Sequence, residues 1–190
     1  MKLIIGLGNP GRIYTESRHN AGFSVIKALS KIYKVPLKKD NTFSLSGKGR
    51  IRAESLIFAL PLTFMNLSGI AVNALIKKYK IDLENLLVVC DDLDLSFGVI
   101  KIRPSGSSAG HRGLRSIIDS LGSQEFSRLR IGIGRPLQNN TDAASFVLSP
   151  FTKKEKKEIK EIIGLACDCC RVWARKGITE SMNMFNRRSK

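Results

Sequence analysis

A chain of 190 residues, 43% hydrophobic and 25% charged, fits one soluble globular domain and excludes collagen-like, coiled-coil and disordered classes. Thirty-two Lys and Arg face sixteen Asp and Glu, a formal net charge of +16, with a pI near 10.1 and a mean hydropathy of −0.06. So large a like-charge excess repels itself and calls for a polyanionic partner, nucleic acid ahead of an anionic membrane surface. No apolar run reaches the ~18 residues that a membrane span needs. The apolar stretch after Lys2 is too short for the core of a targeting signal. Of the four cysteines, Cys167, Cys169 and Cys170 crowd into one segment, away from Cys90. They cannot staple distant loops, and the pattern reads as reduced thiols in the cytoplasm.

The chain opens with a short buried strand over 2–7 that breaks at Asn9-Pro10-Gly11, and a polar loop from Arg12 to Asn20 follows. Helical spacing of Phe23, Ile26, Leu29 and Ile32 predicts a helix from Gly22 to Val35, stopped by Pro36. Runs over 42–46 and 51–60 predict a hairpin with Gly47-Lys48-Gly49 as its turn. Residues 63–69 read as a loop, leading into a helix that reaches Lys80. Leu86–Cys90 is a continuous apolar run, the mark of a strand buried on both faces, and it leads into Asp91-Asp92-Leu93-Asp94. An antiparallel strand over 99–103, a Ser/Gly loop over 104–110, a helix over 114–121 ended by Gly122 and a strand over 128–133 come next. A long loop runs to Pro150, and a charged amphipathic helix over 152–176 precedes a short terminal helix and Arg187-Arg188. The order predicts an α/β fold: a single-domain three-layer sandwich over residues 1–190, around a twisted, mixed but mostly parallel β-sheet. Ligands of such sheets bind beyond the carboxyl ends of the strands, where Asn9 and Asp91 lie.

Several motifs fail on context. Gly6-Leu7-Gly8-Asn9-Pro10-Gly11 matches a dinucleotide-binding pattern, but a polar loop follows where a helix should open. Gly106-Ser107-Ser108-Ala109-Gly110 matches a nucleophile elbow, but it reads as a flexible Ser/Gly loop, His111 lies only three residues on, and no histidine follows it. Successive residues at a strand end point in alternate directions, so Asp91, Asp92 and Asp94 would not converge on one cation. In the cysteine-rich helix, Cys167 and Cys170 share a face and Cys169 points elsewhere, so the three read as small apolar residues rather than a metal site. What survives is His19, one of two histidines. It is a candidate general base on water, with Asp91 as the carboxylate that fixes its tautomer. The amides of Asn9, Asn20 and Asn66 are placed to orient water or to donate to an oxyanion.

Gly6–Gly11, Tyr14, Arg18-His19-Asn20-Ala21-Gly22, Thr63–Gly69, Asp91–Leu95 and Arg128–Gly134 resemble, in order, the signature blocks of bacterial-type peptidyl-tRNA hydrolases. The resemblance implies a monomeric cytoplasmic α/β esterase, free of metal and cofactor. Its substrate would be the ester between a peptide and the 3′-terminal ribose of tRNA. His19 then corresponds to the proton acceptor, Asp91 to its supporting carboxylate, and Asn9 to the residue that senses a blocked amino group. Asn66 belongs with the catalytic set, and with Tyr14, Phe64 and Met65 it implies substrate contacts near the tRNA 3′ end. Arg103 and Arg130 correspond to a basic pair on the tRNA 5′-phosphate. Arg112, in Gly110-His111-Arg112-Gly113, stands where the family usually has asparagine, and it is read as a substrate contact. The rival expectations are an RNA-binding protein on the same fold without hydrolysis, and a metal-dependent phosphoesterase built on Asp91, Asp92 and Asp94.

Overall fold

The computed structural model describes residues 1–136 and 142–186, so Arg187 and Arg188 lie outside it. The strands are β1 (Lys2–Gly6), β2 (Lys38–Lys39), β3 (Ser44–Ile51), β4 (Glu54–Pro61), β5 (Leu86–Asp92), β6 (Ile100–Arg103) and β7 (Ser127–Gly132). The helices are α1 (Ala21–Ile32), α2 (Ser68–Tyr79), α3 (Arg112–Leu121), α4 (Ala143–Leu148) and α5 (Lys153–Phe185). One sheet runs in the order β2-β3-β4-β1-β5-β7-β6. Its four central strands, β4-β1-β5-β7, are parallel, and the margins are antiparallel. The mixed, largely parallel sheet expected from the element order is thus found, with its parallel part at the centre.

The apolar run of β5 is buried throughout because it serves two cores. Leu87 and Val89 pack with α1 and α5 on one face. Leu86, Val88 and Cys90 pack with α2 and α3 on the other. Full burial of each aliphatic side chain contributes about 2 kcal/mol. That double coverage fixes the strand axially, and with it the position of Asp91 at its end.

Three sequence expectations are corrected. Gly47 and Gly49 are not a turn but lie inside β3, and the hairpin turns at Arg52-Ala53, with Arg52 at φ +56°. A Cβ on Gly47 would stand 2.5 Å from the Pro36 carbonyl oxygen, and one on Gly49 2.3 Å from Val35 Cγ2. The glycines are there because the chain after α1 presses on the strand. The stretches 12–20 and 63–69 hold 3₁₀ turns (Arg12–Tyr14, Arg18–Asn20 and Met65–Leu67) rather than open loop. The loop before Pro150 contains α4, whose six residues are too few for a periodic signal; Asp142 caps it by accepting from Ser145 N–H at 3.1 Å. Cys167, Cys169 and Cys170 are all buried, as small apolar residues would be, because α5 packs on α1 and on β6 and β7 at once.

Two details close the structure. Helix α5 breaks at Gly177, whose φ of +81° only glycine adopts freely, so a helix over 153–176 is followed by a short segment, as expected. The Lys2 ammonium takes the Trp173 carbonyl near that break at 3.2 Å and lies 4.9 Å from the indole ring centre. At the sheet margin, Ile102 N–H donates to Asn186 Oδ1 at 2.9 Å and Asn186 Nδ2 donates to the Ile102 carbonyl at 3.0 Å. Asn186 thereby supplies both partners that a further strand would offer Ile102.

Candidate active site

The site is built on the carboxyl ends of β1 and β5. Leu7 N–H donates to the Val89 carbonyl at 2.8 Å, which carries the pairing of the two strands one residue past β1. Asn20, at the start of α1, then pairs with the Asn9 backbone: Asn9 N–H to Asn20 Oδ1 at 2.8 Å, and Asn20 Nδ2 to the Asn9 carbonyl at 3.1 Å. The Asn9 side chain is oriented in turn, since its Oδ1 accepts from Met65 N–H at 2.8 Å. Its Nδ2 is left as a donor toward the cleft that Asn9 lines.

His19 lies 9% exposed in the Arg18–Asn20 turn, and its Nδ1 is 2.8 and 3.0 Å from the two carboxylate oxygens of Asp91. His111 Nε2 lies 3.1 Å from Asp91 Oδ1, and the two imidazole centres are 5.0 Å apart. The helix fixes which nitrogens carry hydrogen. His111 is the N-cap of α3, and its Nδ1 accepts from Gly113 N–H at 3.1 Å and Leu114 N–H at 3.2 Å. A nitrogen that accepts holds no proton, so the ring's hydrogen sits on Nε2 and is donated to Asp91. Asp91 therefore acts as acceptor to both rings. His19 donates through Nδ1, and its Nε2 lone pair faces the cleft. Burial pushes the Asp91 carboxyl upward, but His111 and His19 more than reverse this and hold it well below the usual carboxylate range.

Buried arginines brace both histidines. Arg18, beside His19, forms a two-pronged pair with Glu155 at 2.9 and 2.8 Å, and its guanidinium stacks 4.4 Å from the Phe146 ring centre and 5.0 Å from that of Phe151. Arg18 N–H also donates to the Ser149 carbonyl at 3.0 Å. The turn carrying His19 is thus locked to the α4–α5 connection. Glu155, held by Arg18 against the opposing pull of burial, has its pKa lowered from 4.5 to about 2. Arg128 donates to the carbonyls of Gly106, Ser107, Gln124 and Phe126, and so holds the loop that leads to His111.

The cleft has a volume of about 610 Å³. It brings together Asn9, His19, Phe64, Met65, Asn66, Asp91, Arg112 and Arg130 from the sequence-predicted set. Met65 is buried and Phe64 is 56% exposed, while Asn66 and Arg112 are exposed. Tyr14 and Arg103 do not line it. Arg103 pairs across strands with Arg128, and Arg130 with Lys101, so the expected basic pair is diagonal on one face of the β6/β7 ribbon. Sequence reasoning missed His111 as the second donor to Asp91 and Lys101 as the strand partner of Arg130. For His111 a signal existed: the chain's second histidine directly precedes a helix, at a capping position.

The three acidic residues after the β5 run diverge, as strand alternation requires. Asp91 meets the histidines, Asp92 pairs with Arg130, and Asp94 pairs with Arg135. Among the described residues, the one group of His, Cys, Asp or Glu close enough to share a metal is His19, Asp91 and His111. Its nitrogens lie 2.8–3.1 Å from the carboxylate, at hydrogen-bond distance and aimed at the oxygens rather than at a common point. Burial pushes the Cys167 and Cys169 thiols up to about 12, which keeps them protonated and inert. Among the described residues no helix is long and apolar enough to cross a membrane.

Fold and site together define an α/β protein with a braced histidine–carboxylate pair at the strand ends, of the kind that activates water. The chain belongs to the peptidyl-tRNA hydrolase family, whose model matches residues 3–190. It is 47% identical over 186 residues to a peptidyl-tRNA hydrolase of Desulforudis audaxviator, covering 98% of this chain and 93% of the relative. It is 42% identical to one from Brevibacillus brevis, covering 98% of each. The solved peptidyl-tRNA hydrolase of Acinetobacter baumannii superposes with a TM-score of 0.92 at 36% identity, over 98% of this chain and 94% of that one.

Proposed function

We propose that this chain hydrolyses the ester between the peptide and the 3′-terminal ribose of peptidyl-tRNA and releases tRNA for reuse, as a metal-independent monomer in the cytoplasm. The observation that carries the reading is the His19 Nε2 lone pair. It is left facing the cleft because Nδ1 is committed to Asp91, and Asp91 in turn to His111. His19 takes a proton from water as that water attacks the ester carbonyl, and Asp91 favours the imidazolium that forms. The Asn66 amide, exposed in the cleft, is the donor available to the developing oxyanion. Asn9 supplies selectivity. Its side-chain oxygen is used by Met65, so it offers only N–H to the substrate. It can bond the carbonyl of an acylated amino group, and a free ammonium, itself only a donor, gives it no partner. Phe64, Met65 and Tyr14 form the contacts around the tRNA 3′ end, and Arg103 and Arg130 supply the guanidinium groups for phosphate.

The test is release of N-acetylamino acid from N-acetylaminoacyl-tRNA, with and without EDTA, beside unblocked aminoacyl-tRNA. Cleavage of the blocked substrate alone, unchanged by chelator, is the expected result. Salt-sensitive tRNA binding without cleavage would instead favour a binding protein, and loss of activity in EDTA a metal-dependent esterase.

A further inference from the structure

The cleft accounts for little of the molecule's positive charge. Residues 21–80 hold eleven Lys and Arg against two carboxylates, Asp40 and Glu54, and so carry nine of the sixteen net charges. The cleft has the opposite character, since Asp91, Asp92, Asp94 and Asp142 line it. A surplus of like charge on one part of a chain repels itself, and a polyanionic partner relieves that repulsion.

The surplus gathers where the β2–β3 margin of the sheet meets the end of α2. Residues directly opposite in an antiparallel pair share a face. Lys38 is paired with Ser46, and Lys48 with Ile57, which packs with α2 and α3. Lys38, Lys48 and Arg50 therefore stand on the α2 face of the margin. From α2, the Tyr79 ring centre lies 4.9 Å from the Lys48 ammonium and 5.3 Å from that of Lys78. One ring thus gathers two like charges. Of the two carboxylates, Glu54 is paired with Ile51 on the other face, and Asp40 is consumed locally. It accepts from Ser46 Oγ at 2.7 Å, Thr42 N–H at 2.9 Å and Lys78 Nζ at 3.1 Å. Lys38, Lys48, Arg50, Lys77 and Lys80 are exposed and make no ion pair among the described residues.

The surface chemistry selects the partner. No large apolar side chain is exposed on β2, β3 or the last turn of α2, so the margin lacks the anchors of a membrane-binding face. Lys48 and Arg50 are two residues apart on an extended ribbon, about 6.7 Å, near the spacing of successive phosphates along a nucleic-acid strand. Tyr79 is engaged by two ammonium groups rather than open for a base to stack on, which suits backbone contact over base contact. We propose that this margin binds the phosphate backbone of a duplex RNA other than the tRNA whose ester occupies the cleft. That the two RNAs are separate rests on the hydrolase reading. Arg103 and Arg130 lie on the opposite margin, and β3 and β6 are five strand intervals apart, about 24 Å. A tRNA held there at its 5′ end and in the cleft at its 3′ end leaves the β2–β3 margin free. Bound to a second RNA by that margin, the protein still presents its cleft to peptidyl-tRNA.

The probe is a blunt, fluorescein-labelled RNA duplex without a single-stranded 3′ end, titrated with the full chain and followed by anisotropy. Lys48→Gln combined with Arg50→Gln weakens binding about tenfold and makes the log–log salt slope shallower by about 1.8, one duplex phosphate for each side chain. Lys80→Gly makes it shallower by about 0.9. That variant does not act by unfolding, because Lys80 has a φ of +51°, which glycine adopts more readily, so its melting temperature is unchanged or raised. In all variants kcat and KM for N-acetylaminoacyl-tRNA stay at wild-type values. An unchanged salt slope in the double variant overturns the proposal. So does a rise in KM for N-acetylaminoacyl-tRNA that matches the loss of duplex binding, since the margin then serves the substrate tRNA. Binding to vesicles of anionic phospholipid, with none to the duplex, overturns it in favour of a membrane surface. If the wild-type protein cleaves no ester, the hydrolase reading fails, and the duplex titration still decides whether the margin holds RNA.

Discussion

The two walls of the cleft are built on opposite terms. On the inner wall Asn9 and Asn20 are tied to each other, His19 and His111 share Asp91, and Arg18 and Arg128 hold the backbone behind them. On the outer rim Phe64 and Arg112 stand exposed. The inner wall shows what preorganisation requires: a proton acceptor of fixed tautomer, held by groups whose own bonds are already made. The outer rim shows what a variable substrate requires, namely side chains free to adapt.

Mutations on the inner wall should cost turnover, and those on the rim affinity. The largest effect falls on His19→Ala, which lowers kcat about 10³-fold while KM stays near its wild-type value; a purely structural histidine would leave kcat within a few-fold. Asp91→Asn follows, at about 10²-fold. A neutral amide no longer fixes the His19 tautomer or favours the imidazolium as it forms, and turnover within a few-fold of wild type would separate Asp91 from His19.

His111 sharpens the comparison because it has two tasks. Asparagine caps helices well but is too short to reach Asp91, so His111→Asn keeps the melting temperature and loses about tenfold in kcat. His111→Ala loses the same activity and about 1 kcal/mol of stability as well. Arg103→Ala weakens tRNA binding and lowers the salt slope by about 0.9 if the phosphate belongs to a duplex, with little effect on an acylated nucleoside. Arg130→Ala does this too, but it also strips Asp92 of its partner and so destabilises the fold. The smallest effect is on the brace. Glu155 has a lowered pKa, so its contribution is whole above about pH 4.5 and is lost as pH falls toward about 2. Glu155→Gln flattens the acid decline of stability in that window, as denaturant melts at stepped pH would show.

What the sequence disclosed follows from the range of each interaction. Strand β5 and Asp91 at its end were legible because a strand buried on two faces must be apolar at every position. His19 was legible as one of two histidines in a polar turn beyond a strand. The bond of His111 to Asp91 was not, since nothing in residues 104–113 shows that Arg128 folds that loop back over the strand ends. The β3 glycines misled because a close approach and a turn select the same residue. Helix α4 was hidden because it is short and half-exposed, and it is held by its contact with the Arg18 turn rather than by its own pattern.

The link between Asn186 and Ile102 bears on how the molecule behaves in a crowd. Strand β6 is the last of the sheet, and such a margin is a template on which a foreign strand can grow. By occupying the outward N–H and carbonyl of Ile102 with one amide, the end of α5 acts as a stopper against polymerisation. Asn186→Ala would leave that pair bare beside a basic ribbon. The cost would surface less in catalysis than in concentration-dependent assembly, seen as growing light scattering at high protein concentration and in salt that screens the mutual repulsion of these highly charged molecules.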